Sequence, residues 1–165
     1  MRSLKLPIFR ELDLDELDNW YDAQVEVEGS TVSMDLNFDE TTAEESQVQP
    51  VQTFLEQLNE LNQTLRQNIA EDFKTGTTTR EFLSKVNEFA NQEKLNTLLT
   101  GADPSLTRDE QLLSFLRLKR VGFFPEDAER FAMVDYTIGY EVTDFLLAFT
   151  LSAQTTVVEL TVENY

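Results

Sequence analysis

A chain of 165 residues, 41% of them hydrophobic, is long enough to build one packed domain without disulfides or a structural metal. It contains no Cys and no His, which excludes thiolate nucleophiles, zinc ribbons and the usual imidazole general base. The formal net charge of -18 produces a field that repels nucleic acids and anionic membranes, so we expect neither as a partner.

The basic residues are distributed unevenly along the chain. No Lys or Arg occurs in residues 11–65 or in residues 131–165, although both segments contain many Asp and Glu. No segment approaches the roughly 18 consecutive apolar residues of a membrane span, and residues 1–23 lack the apolar core of a secretion signal. We therefore expect a cytoplasmic protein that forms a single domain over residues 1–165.

The first predicted element is a short helix or turn in the segment LDLDELDNWYD, which would carry Trp20 and Tyr21 into the core. Asp13, Asp15 and Asp18 lie close together there, as carboxylates do in a calcium loop. The turn glycine and the final glutamate of such a loop are missing, so the pattern favours a solvated acidic turn. We predict no metal site in this segment.

Two alternating segments, residues 23–28 and 31–38, predict an antiparallel β-hairpin. Gly29 and Ser30 lie between them and suit a two-residue turn. The apolar residues of both segments would face the core and the acidic residues between them the solvent. The hairpin is therefore expected to have one solvent-exposed, acidic face.

The middle of the chain begins with a polar segment, residues 39–47, which we interpret as a loop. Pro50 then suits the first turn of a helix, because its ring fixes a helical φ and it lacks only an amide that has no partner there. Apolar side chains follow at helical spacing as far as Phe73, and Gly76 would end this first amphipathic helix.

Two further helices are predicted from their capping residues. Thr78 and Glu81 have capping-box spacing at the start of a second amphipathic helix that would extend to about Leu99. Thr107 and Glu110 repeat that spacing at the start of a third. The middle of the chain therefore predicts three helices.

Four short segments rich in β-branched and aromatic residues follow Arg120: VGFFPED, FAMVDYTI, DFLLAFTL and TVVELTV. They predict three or four antiparallel strands. Combined with the hairpin, they give an α+β domain whose antiparallel sheet is covered on one face by about three helices. Because the base-free parts of the chain coincide with the strands, we expect the sheet to carry the negative field.

The candidate binding residues are carboxylates in or beside the predicted strands, with one aromatic neighbour. A surface for a basic protein partner is predicted to contain Asp35, Asp39, Glu40, Asp135, Tyr136 and Asp144. Tyr136, Tyr140 and Phe145 could form an aromatic patch, although aromatic residues at strand spacing more often lie in the core. The glycines are isolated and form no phosphate-binding loop, so no cofactor is predicted.

Three motifs near the C-terminus form a signature: GFFPED at residues 122–127, DYTIG at residues 135–139 and TDFLL at residues 143–147. With the hairpin segment GSTVSMDLNFD and the leucine-rich helical middle, this signature resembles an uncharacterised bacterial family, the domain of unknown function numbered two thousand and four. The resemblance covers nearly the whole chain. It implies a small cytoplasmic bacterial domain and assigns no active-site residue.

The leading functional hypothesis is a non-enzymatic interaction module that presents an acidic sheet face to a basic protein partner. A narrower version is an immunity protein that blocks the substrate-binding charges of a basic nuclease toxin. Two alternatives remain at this point. One is an enzyme that uses a carboxylate pair, with a divalent cation held by oxygen ligands. The other is a structural homodimer.

Overall fold

The computed structural model describes residues 1–165 and contains eight strands and five helices. The strands are β1 (Ser3–Leu4), β2 (Leu12–Asp13), β3 (Trp20–Val27), β4 (Ser30–Asn37), β5 (Arg117–Phe123), β6 (Ala132–Thr137), β7 (Phe145–Leu151) and β8 (Val157–Asn164). The helices are α1 (Glu45–Glu56), α2 (Leu58–Thr75), α3 (Thr78–Phe89), α4 (Gln92–Leu99) and α5 (Arg108–Ser114). The protein therefore has the α+β composition expected from its sequence.

Six of the strands form one sheet in the order β3-β4-β5-β6-β7-β8, and β1 pairs with β2 separately. The prediction of a purely antiparallel sheet is wrong, because β4 and β5 run parallel whereas the other neighbours are antiparallel. All five helices lie between β4 and β5 in the chain and return it to the end of the sheet where β4 began. A connection of this kind joins parallel neighbours, whereas a short hairpin joins antiparallel ones.

The prediction of about three helices is also wrong, and the extra elements arise at two breaks. The first predicted helix is divided at Gln57, whose φ of -100° and ψ of 8° leave the helical region. The second is divided at Asn91, whose side chain accepts a hydrogen bond from the Lys94 amide at 3.1 Å and caps α4. Asn is among the best N-cap residues, so it can begin a new helix where periodicity alone suggests continuation.

The starts of the helices differ in part from prediction. Helix α1 begins at Glu45, within the predicted loop, so Pro50 lies inside the helix and not in its first turn. Thr78 does not cap α3; it is the first helical residue, and the carboxylate of Asp72 accepts the Thr79 amide at 2.6 Å. The predicted cap at Thr107 is confirmed, because its hydroxyl accepts the Glu110 amide.

Strand β3 begins at Trp20, where a short helix or turn was predicted to carry both aromatic residues inward. Tyr21 is buried and packs edge-to-face on Phe38 at 6.0 Å, but Trp20 is 53% exposed. Successive side chains of a strand point to opposite faces of the sheet, so only one of this pair can be buried.

The helices pack on one face of the six-stranded sheet. Phe54 of α1 meets Phe123 of β5 edge-to-face at 5.0 Å, and Phe89 of α3 lies 5.9 Å from Phe145 of β7. The main core lies between these two layers and includes the apolar residues of both. None of the helices combines the length and the apolar character that crossing a bilayer requires.

Candidate functional site on the open face of the sheet

The open face is the side of the six-stranded sheet opposite the helices. Because strand side chains alternate, the residues between the core positions of each strand point to this face. Strand register places Asp22 beside Asp35, and Arg120 beside Asp135. The charged residues that alternation places on the strands of the open face, away from their ends, are Asp22, Glu26, Asp35, Arg120, Asp135, Glu159 and Glu163. This face is therefore predominantly acidic.

An ion triad lies at the centre of the open face, where β4, β5 and β6 meet. The Arg120 guanidinium donates to both carboxylate oxygens of Asp35, from Nε at 2.8 Å and from Nη2 at 2.9 Å. Its Nη1 lies 3.4 Å from Oδ2 of Asp135. Parallel hydrogen bonds of this kind are among the strongest that proteins make. The triad joins two central strands to the hairpin and has a net charge of one negative unit.

The two carboxylates of the triad are buried to the same degree but differ in their partners. Asp35 is 8% exposed and accepts a third hydrogen bond, from Asn37 Nδ2 at 2.6 Å. Asp135 is 6% exposed, has only the 3.4 Å contact with Arg120, and receives no protein hydrogen bond on Oδ1. The surplus negative charge of the triad therefore lies on Asp135.

Burial raises the pKa of Asp135 above its usual value, and the charges of Asp35 and Glu163 add to the increase. The Arg120 charge and its hydrogen bond oppose the increase without cancelling it. The pKa of Arg120 is itself raised, mainly by its hydrogen bonds to Asp35. Asp135 is thus an incompletely compensated acid beside a guanidinium that is held mostly by another residue.

Gly122 makes space for the triad. A Cβ at this position would lie 2.6 Å from Nη2 of Arg120 and 3.2 Å from Oδ2 of Asp35. Residues two apart on a strand share a face, so any side chain here would occupy the volume that the guanidinium fills. The absence of a side chain allows Arg120 to lie across its own strand and reach Asp35.

A cavity of about 420 Å³ opens beside Asp135. We call it the Asp135 cavity, and its lining residues are Arg120, Met133, Asp135, Tyr140, Leu146, Glu163, Asn164 and Tyr165. The Tyr140 and Tyr165 rings pack edge-to-face at 4.8 Å, and the Tyr165 hydroxyl donates to the Thr143 carbonyl at 3.2 Å. Burial raises the pKa of Tyr165 to about 12, and it also raises that of Tyr140. Both rings are therefore neutral at physiological pH.

A second cavity, of about 550 Å³, lies on the other side of Met133 and includes Asp39 in its lining. The Glu126 carboxylate accepts the backbone amides of Asp39 at 2.6 Å and of Glu40 at 3.1 Å. This bidentate contact fixes the segment after the hairpin against the loop between β5 and β6. Arg130, also in the lining, is paired with Glu159 at 2.5 Å.

The predicted surface residues occupy different places in the structure. Asp35 and Asp135 are brought together by Arg120, whereas Asp39 and Glu40 are exposed beside the second cavity. Asp144 is exposed, in the segment before β7.

Tyr136 does not lie on the open face. Its side chain has 0% exposure, points towards the helices and donates a hydrogen bond to Asn62 Oδ1 at 2.6 Å. Its pKa is raised by burial. A side chain without exposed surface cannot contact a partner, so the proposed surface is redrawn without it. The predicted aromatic patch is divided in the same way, because Phe145 packs on the helical side and only Tyr140 borders the Asp135 cavity.

Arg120, Tyr165 and Glu163 are site residues that the sequence did not indicate. The only sequence signal for Arg120 is a basic residue two positions before a glycine in a strand-like segment, which is weak. Its carboxylate partner Asp35 lies 85 residues away in the chain. Nowhere do three or more carboxylates converge in an arrangement that could hold a metal ion.

Comparisons of the chain with protein-family models, curated proteins and solved structures gave no match. The resemblance to the uncharacterised bacterial family therefore stays a prediction.

Proposed function

We propose that the protein is an interaction module whose open face binds the basic surface of a partner protein. The observation that carries this proposal is the charge of a sheet face against which no helix packs. Asp22, Glu26 and Glu163 are exposed there and form no salt bridge. The cations Arg120 and Arg130 already pair with carboxylates, and Arg117, the first residue of β5, donates to backbone carbonyls. The face therefore offers unpaired negative charge to a partner.

The positions of the Lys and Arg residues in the chain determine how a basic partner would be oriented as it approaches. Apart from the first ten residues, every Lys and Arg lies between Arg66 and Arg130, a segment that forms most of the helical layer. The five helices contain six bases and ten acids, and β5 contains three bases. The other five strands of the six-stranded sheet contain six acids and no base. Negative charge concentrated on these strands orients an approaching basic protein and accelerates its association. The narrower version, inhibition of a basic nuclease toxin, uses the same face.

A defined probe can test this proposal without knowledge of the natural partner. We would measure the binding of an arginine-rich peptide, labelled with an uncharged dye, by fluorescence anisotropy. The test variant combines Asp22→Asn, Glu26→Gln and Glu163→Gln on the open face. Its matched control neutralises three exposed carboxylates of the helical layer, Glu60, Glu71 and Glu88, each to Gln.

The open-face variant should bind the peptide about tenfold more weakly, because each exposed charge pair contributes about 0.5 kcal/mol. The control has the same net charge and should bind within about twofold of the unmodified protein. Raised salt should weaken binding in all three proteins, since the contacts lie near the surface. Equal losses in the two variants would show that net charge alone attracts the peptide, and the proposal would then be rejected.

A second copy of the chain is a weaker occupant of this face, because two surfaces of the same charge repel. Sedimentation velocity of the two variants distinguishes this case. A dimer that is strengthened by the open-face substitutions and unaffected by the control would assign the face to self-association and contradict the proposal.

A further inference from the structure

We infer that the Asp135 cavity is a binding site for a guanidinium group, and that it anchors an arginine side chain of the partner. The source of the guanidinium rests on the proposed function, but the chemistry of the site rests on the cavity alone. Three features of the structure lead to this ligand class: an incompletely satisfied carboxylate, an uncompensated charge and a lining that is partly aromatic.

The first feature is the carboxylate of Asp135. It is 94% buried, since its relative exposure is 6%, yet its only protein partner is Arg120 at 3.4 Å. Buried carboxylates ordinarily accept several hydrogen bonds, because leaving a buried acceptor without a partner is costly. Oδ1 has no protein donor, it is not one of the fully enclosed polar atoms of the protein, and Asp135 lines the cavity. A ligand that brings N–H donors would complete its hydrogen bonding.

The second feature is the charge balance around the cavity. Arg120 contributes one positive charge, but its two shortest hydrogen bonds go to Asp35, outside the lining. Asp135 and Glu163 both line the cavity, and neither has a full cationic partner there. One monovalent cation would reduce this excess. An anionic ligand would increase it and is therefore excluded on electrostatic grounds.

The third feature is the remainder of the lining, which combines Tyr140 and Tyr165 with the apolar side chains of Met133 and Leu146. A planar guanidinium stacks on aromatic rings, donates in parallel to a carboxylate and is less strongly hydrated than an ammonium. The apolar side chains suit the methylene stem of an arginine. The volume of about 420 Å³ lies towards the lower end of the range of ligand pockets, roughly 300–1,000 Å³.

An NMR titration with ethylguanidinium tests the site, with ethylammonium as the comparison ligand and ionic strength held constant. The signals to follow are the ring protons of Tyr140 and Tyr165 and the methyl groups of Met133 and Leu146. Saturable shifts should give a dissociation constant on the order of millimolar for so small a ligand. Ethylammonium should bind at least about fivefold more weakly.

Two variants assign the shifts to the cavity. Asp135→Asn removes the charge but keeps the shape, and it should weaken ethylguanidinium binding by about tenfold or more. Tyr140→Ala removes a ring that is 47% exposed and so spares the core; it should weaken binding several-fold. Tyr140→Ala keeps the test decisive if Asp135→Asn folds poorly. Glu60→Gln, which removes one exposed charge from the helical layer, should leave binding unchanged.

The outcomes separate this inference from the proposed function. Shifts that do not saturate, or that are unchanged in both cavity variants, would overturn the cavity site. Arginine-rich peptide binding that depends on the open face but is normal in both cavity variants would retain the proposed function and reject the arginine anchor. Saturable ethylguanidinium binding combined with peptide binding that ignores the open face would support the cavity and reject the proposed function.

Discussion

At the scale of single residues, the centre of the open face depends on how one guanidinium is shared by two acids. Arg120 makes its two shortest hydrogen bonds to Asp35 and only a 3.4 Å contact with Asp135. Removing one partner of a buried ion pair is costly, because the other charge remains without compensation. The two aspartates are similarly buried but unequally paired, so they should respond differently to the same substitution.

Asp35→Asn should destabilise the protein by about 1–3 kcal/mol, because it removes a charge-assisted bidentate pair that is partly open to solvent at Arg120. Asp135→Asn should change the free energy of unfolding by less than about 1 kcal/mol at neutral pH, because the ionised carboxylate is poorly compensated there. Urea unfolding of both variants at pH 7 measures the difference. If both variants lost the same free energy of unfolding, Arg120 would stabilise the two carboxylates equally.

The raised pKa of Asp135 predicts a pH dependence of stability with a definite sign. An acid whose pKa is higher in the folded state binds protons more tightly there, so its contribution to stability is complete below the unfolded pKa of about 3.9. That contribution is lost as the pH rises through the folded pKa of Asp135. The unmodified protein should therefore lose stability relative to Asp135→Asn as the pH is raised from about 4 towards neutrality.

Urea unfolding of both proteins at several pH values gives this difference directly. The charged and titratable groups facing Asp135 are Arg120, Asp35, Glu163 and Tyr140, and all four are present in both proteins. Their own titrations therefore cancel to first order. A difference that is constant with pH, or that changes in the opposite direction, would contradict the assignment of a raised pKa to Asp135.

At the scale of elements, the helical layer is joined to the sheet by apolar packing and by one buried polar contact. The Tyr136 hydroxyl of β6 donates to Asn62 Oδ1 of α2 at 2.6 Å, and both residues are buried. A polar pair inside an apolar interface fixes the position of one element against the other, because any shift leaves both groups without partners.

Tyr136→Phe should destabilise the protein by about 1–2 kcal/mol, because the Asn62 carbonyl loses its donor inside the core. The matched control is Tyr140→Phe, which removes a hydroxyl from a ring that is 47% exposed and should change stability by less than about 0.5 kcal/mol. Thermal unfolding compares the two. A Tyr136→Phe variant as stable as the control would mean that the contact does not fix α2 on the sheet.

Local sequence patterns predicted the types of element but not how the strands are arranged. Alternation located the hairpin, and β-branched runs located the later strands, because both signals depend only on neighbouring residues. The parallel pairing of β4 with β5 depends on the path of the helices between them, which no local period records. The break at Gln57 was missed for a related reason, since the apolar periodicity continues through it.

Only the part of the site that follows from the alternation of side chains along a strand was predictable from the sequence. Asp35 lies between Met34 and Leu36, two buried residues, so alternation alone places its carboxylate on the open face. The Arg120 partner was not predictable, because it lies on a strand 85 residues further along the chain. The prediction that places both Asp135 and Tyr136 on the partner surface is wrong for Tyr136, because adjacent residues of a strand face opposite sides of the sheet.

At the scale of the whole molecule, a charge of -18 is distributed unevenly along the chain and among the strands of the sheet. Ten of the 13 bases lie between Arg66 and Arg130, in the helices, in β5 and in the loop after it, whereas the other five strands of the six-stranded sheet contain acids and no base. A uniformly distributed charge would increase solubility but would favour no particular orientation of an approaching partner. An uneven distribution favours one orientation of approach by a basic partner, which is the central claim of the proposed function.

The most direct test of that claim is to map the binding of an arginine-rich peptide, residue by residue, on ¹⁵N-labelled protein at low and then raised salt. We expect the perturbed amides to cluster on β3, on β6 to β8 and in residues 139–144, and we expect raised salt to reverse the shifts. Perturbations concentrated on α2 to α4, or spread evenly over both layers, would contradict that claim.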